Sequence, residues 1–171
     1  LDWWSLRPLQ KPALPEPASG QERAANAVDA FVRDRLAQHG FAMAKEADPR
    51  TLCRRVFFDL IGLPPSPEEV ETFVKDRGSD AYDRWIDRLL TSPAYGERWA
   101  SVWLDVARYA DSEGYEKDGF RDAWRYRDWL IDALNNDMPY DQFLVEQLAG
   151  DLLPNPTEDQ IIATAFHRNT P

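Results

Sequence analysis

Residues 98–129 have the sequence RWASVWLDVARYADSEGYEKDGFRDAWRYRDW, which holds four of the seven tryptophans of the chain and five arginines. Two helical patterns flank an acidic segment that contains two glycines, because apolar residues recur at helical spacing before it and after it. A large ring buries much apolar area, whereas a charge beside it must be paired or solvated. The stretch therefore predicts either a paired structural scaffold or a functional site.

The chain is strongly acidic, with a net charge of −10 and an isoelectric point near 4.7 over 171 residues. Proteins that bind nucleic acids concentrate lysine and arginine on one face, so this charge argues against a nucleic-acid partner and leaves glycans, small molecules and proteins. No apolar run approaches the roughly 18 residues of a membrane-spanning helix, so we predict no membrane span. With 43% hydrophobic residues the chain is long enough for one domain with its own core.

Cys53 is the single cysteine. This count rules out an internal disulfide, a zinc site with more than one thiolate, and the C-x-x-C-H sequence that attaches a c-type haem. Cys53 lies between Leu52 and Val56 in a helical pattern, which predicts a buried and unreactive thiol. We therefore expect no cofactor in this fragment itself, and the sequence names no metal-ligating residues.

Start and stop signals predict an all-α fold of about eight short helices joined by proline-rich turns. Typical start signals are Ser66 with Glu69 and Thr157 with Gln160, and no segment alternates as a strand does. We predict an extended proline-rich arm over residues 1–22 and a helical domain over residues 23–171, incomplete at its C-terminal end. The predicted helices cover residues 26–39, 48–62, 66–74, 80–91, 93–111, 122–136, 140–150 and 157–166.

The arm carries two adjacent tryptophans, Trp3 and Trp4. Two exposed indoles side by side would form an unusual apolar patch, so we expect at least one of them to pack on the helical body.

Four carboxylates near the central loop are the predicted catalytic acids and bases: Asp105, Asp111, Glu113 and Glu116. Two such groups about 5–10 Å apart could hydrolyse a glycosidic bond, with His167 as a further candidate base or simply a hydrogen-bonding partner. The loop at residues 111–122 could instead offer oxygen ligands to calcium, although Glu116 stands where an EF-hand requires glycine. A solvated acidic loop is the third alternative.

The neighbouring rings and arginines are the predicted binding residues: Trp103, Arg108, Tyr109, Trp124 and Arg125. The alternative is a structural network, because the planar fork of arginine suits carboxylates. Arg108 and Arg125 each lie three residues from an acid on both sides and beside large rings, so we expect them to be buried in ion pairs. The network would pair Arg98, Arg108, Arg121, Arg125 and Arg127 with Glu97, Asp105, Asp111, Asp122 and Asp128.

Four strings are shared in order and spacing with one family: FDLIGLPPSPEEV (58–70), LLTSPAYGERWASVWLDVARYADSEGYEKD (89–118), AWRYRDWLIDALNNDMPYDQFLVEQLAGDLLP (123–154) and ATAFHRNT (163–170). The chain thus resembles, from Trp3 onward, the planctomycete cytochrome-c-associated domain of unknown function (PSCyt2 type, DUF1549). The resemblance implies a large extracytoplasmic bacterial protein, often with a c-type cytochrome domain before this one. It also implies that a C-x-x-C-H-type sequence follows the FHRN string, before which this chain stops. Haem c would then belong to the full-length protein, with His167, Arg168 and Asn169 near it.

These observations leave three hypotheses for function. The first is a helical accessory or scaffold domain of a secreted redox protein, with the cytochrome c domain of the same polypeptide as partner. The second is an enzyme that acts on polysaccharide, and the third is a module that docks neighbouring domains through the arm. A pocket that joins Trp103, Tyr109, Asp111 and Arg125 would favour the enzyme, whereas a closed and fully paired cluster would favour the scaffold.

Overall fold

The computed structural model describes residues 3–16, 24, 26–113 and 118–169, with the backbone alone for Trp4. The described residues form α-helices and short 3-10 helices with no β-strand, and Ser112 and Phe120 form an isolated antiparallel bridge. The predicted all-α fold is confirmed. The eight helices are α1 (Ala27–Gln38), α2 (Pro49–Ile61), α3 (Pro67–Lys75), α4 (Ala81–Leu90), α5 (Pro93–Val106), α6 (Trp124–Asn135), α7 (Tyr140–Ala149) and α8 (Glu158–Ala163).

The chain divides into two compact units, Leu1–Glu46 and Ala47–Pro171. The first unit contains α1, and none of its described residues is buried. Trp3 is 63% exposed, so the expectation that at least one of the two indoles packs on the helical body now depends on Trp4 and stays a prediction. The side chain of Trp4 lies outside the description, and the predicted boundary at residue 22 stays a prediction.

The helix starts follow the chemistry of their caps. The carboxylate of Asp48 accepts the backbone N–H groups of Arg50 and Thr51 at the start of α2. Ser66 with Glu69, and Thr157 with Gln160, form reciprocal capping boxes at α3 and α8. Each cap satisfies backbone donors that a helix leaves unpaired in its first turn, which is why the sequence signals located these starts well.

Helix α5 ends at Val106 and not at Asp111 as predicted, because Arg108 adopts a left-handed backbone with φ of 57°. The N–H groups of Arg108 and Tyr109 bond back to the carbonyls of Asp105 and Leu104. This Schellman arrangement closes a helix and normally places glycine at the left-handed position. Asp137 closes α6 in the same way, with φ of 48°.

Two buried clusters hold the second unit together. The first joins α2, α3 and α4 around Trp85, whose ring centroid lies 6.0 Å from that of Phe57 and 5.5 Å from that of Phe73. Cys53 is fully buried in this cluster, as predicted, and burial followed by the nearby charge of Glu69 raises the pKa of its thiol.

The second cluster joins α5, α6, α7 and α8 around Trp129. The ring of Trp129 stacks between Tyr126 and Phe143, with interplanar angles of 20° and 14°. Helix α5 approaches α6 closely at Gly96, whose N–H donates to Oδ1 of Asn135 at 2.8 Å. These contacts fix the positions of the two helices that carry the central stretch.

Candidate functional site

Three side chains from α5, α6 and α7 meet in a closed hydrogen-bonded cluster. The indole Nε1 of Trp103 donates to Oε1 of Gln147 at 3.0 Å and lies 3.3 Å from Oη of Tyr126. Tyr126 donates to the same Gln147 oxygen at 2.7 Å, and Gln147 Nε2 donates to the carbonyl of Phe143 at 3.2 Å. Tyr126 and Gln147 are each only 1% exposed, and burial raises the pKa of Tyr126 to about 12. Trp103, predicted as a binding residue, thus directs its polar atom into the core.

A second hydrogen-bonded group lies where the chain leaves α5. The hydroxyl of Tyr109 donates to Oδ1 of Asp111, and the guanidinium of Arg127 pairs with the same oxygen at 2.8 Å. Partial burial, followed by the hydrogen bond and the charge of Asp111, raises the pKa of Tyr109 to about 12. The arrangement anchors the start of the loop to α6 and gives Asp111 two donors at an exposed position.

The other predicted catalytic groups are distributed over the unit. Asp105 is exposed in the last turn of α5 and Glu113 is exposed in the loop, while Glu116 lies outside the described residues. His167 is exposed, and its Nε2 lies 3.1 Å from the carbonyl of Leu148. A role for these groups as acid and base stays a prediction.

The expected burial of Arg108 and Arg125 is wrong. Arg108 is exposed because its left-handed backbone turns it off the end of α5. Arg125 is 54% exposed, pairs with Glu158 at 3.2 Å and lies 5.6 Å from the ring of Trp124. Among the described residues, Arg127 is the one arginine of the predicted network that pairs with acids predicted for that network, namely Asp111 and Asp128.

An acidic cleft of about 550 Å³ lies between α6, the end of α7 and α8. Two predicted binding residues, Trp124 and Arg125, meet there, and Glu146 forms part of its wall. Glu146 is 4% exposed, and its Oε1 accepts from the amides of Gln142 at 2.9 Å and Gln160 at 3.2 Å. Sequence reasoning missed this carboxylate because Glu146 belongs to an apolar helical pattern. The cleft also contains Asp128, Asp132, Glu158 and Asp159.

An apolar groove of about 290 Å³ lies between α5 and the turn that joins α6 to α7. We use the name apolar groove for the surface formed by Trp99, Val102, Val106 and Tyr140. Their exposed fractions are 40%, 41%, 76% and 66%. The sequence pattern identified the apolar positions of α5, but Trp103 fills the core while these neighbours face solvent.

The residues present do not fit a covalently attached haem. Such attachment needs two thiols beside a histidine, whereas Cys53 is single and fully buried within α2. Among the described residues, no group of three or more histidine, cysteine or acidic side chains is arranged to hold a metal ion. None of the helices in the described ranges is both long and apolar enough to cross a lipid bilayer.

Comparison with known protein families places most of the chain in one described family. The profile of a family described as PSCyt2, protein of unknown function (DUF1549), matches residues 27–171. No curated protein and no solved structure matches the chain.

Proposed function

Because the chain belongs to the PSCyt2 family of proteins of unknown function, we propose that it is a docking scaffold that binds a c-type cytochrome domain of the same extracytoplasmic polypeptide. The apolar groove is the contact surface in this proposal. Any haem c belongs to the partner domain in this proposal, and the helical chain supplies a rigid surface that orients that domain.

The observation that carries the proposal is the exposure of large apolar side chains in one groove. Trp99 and Tyr140 are residue types that dominate binding energy when a partner excludes water from them, and Val102 and Val106 extend the same surface. An exposed apolar groove on a folded unit is typical of an interaction site. The net charge of −10 adds that a basic rim on the partner would be favoured.

The neighbouring core supports a scaffold rather than a reaction centre. Directly behind the groove, hydrogen bonds join the polar side-chain groups of Trp103, Tyr126 and Gln147. Fully satisfied buried polar networks make a core rigid and specify one arrangement. A rigid support keeps the exposed surface in place, so less conformational entropy is lost when a partner binds.

The test is binding between this chain and the separately produced cytochrome c domain of its polypeptide, measured by calorimetry or NMR titration. Val106→Glu places a charge in the groove and should weaken binding about tenfold or more. The matched control is Val145→Glu, because Val145 is 47% exposed on α7 and lies outside the groove. Equal effects of the two substitutions, or no binding by the unmodified chain, would contradict the proposal.

A further inference from the structure

We infer that a pocket between the start of α6 and the C-terminal 3-10 helix, Thr164–Arg168, binds a small organic carboxylate. The cavity has a volume of about 290 Å³. We call it the Arg121–Asn169 pocket, and its wall comprises Arg121, Asp122, Ala123, Tyr126, Ala165, Arg168 and Asn169. It shares no lining residue with the apolar groove, so the inference does not depend on the proposed docking function.

Two residues that line this pocket carry a buried donor without an acceptor among the described residues. Asn169 is 7% exposed, and its Nδ2 is buried without a hydrogen-bond partner. Nε of Arg121 is buried as well and has no hydrogen-bond partner in the described part of the chain. A buried donor without an acceptor destabilises the folded chain, and such groups are rare in native proteins. Two of them in the wall of one cavity indicate that a ligand supplies the acceptor.

The orientation of Arg121 selects the shape of that acceptor. Its Nη1 donates to the carbonyl of Arg168 at 2.7 Å. This bond leaves the Nε and Nη2 edge of the guanidinium for a ligand. The two parallel N–H groups of such an edge match the two oxygens of a carboxylate.

The start of α6 adds a favourable field. This helix has 12 residues, and Ala123 occupies the capping position without a side-chain hydrogen bond to the first turn. Unpaired N–H groups and the helix dipole make such an end attractive to anions. Arg121 and Arg168 contribute two positive charges to the wall and Asp122 one negative charge, so the pocket carries a net positive charge in an acidic protein.

The remaining wall is apolar and suits a short hydrocarbon or aromatic group. Ala123 and Ala165 present methyl groups, and the hydroxyl of Tyr126 is already engaged by Gln147 in the core. A volume of about 290 Å³ is at the small end for ligand pockets. These features favour a small carboxylic acid over an inorganic anion such as sulfate, which would leave the apolar wall unoccupied.

The experiment is an NMR titration of the ¹⁵N-labelled chain with sodium benzoate. The Arg121 Nε–H and Asn169 Nδ2 signals should move to saturation at millimolar benzoate, because both donors gain an acceptor. Benzamide, which has the same shape without the charge, should leave them in place. Movement with sulfate but not with benzoate, equal movement with benzamide, or no movement with benzoate would overturn the inference.

Substitutions test the named contacts. Arg121→Gln and Asn169→Leu should each raise the Kd for benzoate about tenfold or more, whereas Asp122→Asn should lower it by removing a like charge. Arg125→Gln is the matched control, because Arg125 is an exposed arginine of α6 that lies outside this pocket. If Arg121→Gln does not fold, Asn169→Leu still tests whether the pocket binds the carboxylate, since this substitution removes the other unpaired donor. Unchanged affinity in Asn169→Leu would contradict the proposed contact.

Discussion

At the scale of single residues, Arg108 stands where helices normally place glycine. Its φ of 57° closes α5, and a left-handed backbone costs a side-chain-bearing residue about 1–2 kcal/mol. Glycine avoids this cost but loses about 0.5–1 kcal/mol more backbone entropy on folding. We therefore expect Arg108→Gly to increase the free energy of unfolding by about 0.5–1 kcal/mol, measured by urea denaturation.

Arg125→Gly separates this effect from a general effect of glycine. Arg125 lies in the first turn of α6 and does not have a left-handed backbone, so the same substitution should lower the free energy of unfolding, by at most about 1 kcal/mol. A lower free energy of unfolding in both variants would show that the left-handed backbone of Arg108 carries no strain.

Tyr109 and Tyr126 make the stability of the protein sensitive to alkaline pH. Each has a pKa raised to about 12 from an ordinary value of 10.0. A folded chain that holds its proton more tightly than the unfolded chain is stabilised below pH 10, and this stabilisation is lost as the pH rises from about 10 to 12. Ultraviolet absorption should show two tyrosines that ionise near pH 12, and Tyr126→Phe should remove one of them. Ionisation of both near pH 10 in the folded protein would contradict the burial argument.

At the scale of helices, Gly96 allows α5 and α6 to touch. A Cβ atom at this position would lie 2.6 Å from the backbone carbonyl oxygen of Ile131, which cannot move without shifting α6. Gly96→Ala should therefore lower the free energy of unfolding by about 1–2 kcal/mol, although alanine favours helices. Urea denaturation monitored by circular dichroism measures the change.

Gly78→Ala is the matched control for this close approach. Its nearest neighbours are the ends of the flexible Asp80 and Arg84 side chains, at 3.1 and 3.2 Å. They can move aside, so the change should stay within about 0.5 kcal/mol. If both alanine substitutions lower the free energy of unfolding equally, the contact between α5 and α6 is not the cause of the effect at Gly96.

Helix starts could be predicted from sequence more accurately than the end of α5. The helix starts at Ser66 and Thr157 were predictable because a cap is a local interaction between residues three positions apart. The end of α5 escaped prediction because an arginine there adopts a conformation that its residue type disfavours. Burial of Cys53 was predictable because its position repeats the apolar face of its own helix.

At the scale of the whole molecule, both buried clusters belong to residues 47–171. A chain of these residues should therefore retain its helices and unfold in one cooperative transition, since a unit with its own core can fold alone. Trp85→Ala in the same chain should lower its stability by about 3–5 kcal/mol, because this ring fills the first cluster. Thermal unfolding followed by far-ultraviolet circular dichroism tests both expectations. A gradual transition of the shortened chain would contradict the first expectation, and an unchanged midpoint in Trp85→Ala would contradict the second.

The candidate sites were less accessible to sequence reasoning than the fold. Arg121 and Asn169 are 48 positions apart in the sequence, and the local pattern around each of them does not indicate that they share a pocket. The acidic cleft likewise combines Trp124 with Glu146, which belong to different helices. Side chains that face one cavity from several elements are brought together by tertiary packing. The type of each residue therefore indicated what chemistry it can do, but not which other residues lie beside it.

The column of rings through Tyr126, Trp129 and Phe143 has an optical consequence. Aromatic chromophores held at fixed angles in a chiral setting couple electronically and produce strong near-ultraviolet circular dichroism. That signal disappears in molten globules, in which helices persist while side chains lose their fixed packing. The protein therefore contains its own spectroscopic reporter, which distinguishes a native interior from a merely helical collapsed chain without any added dye.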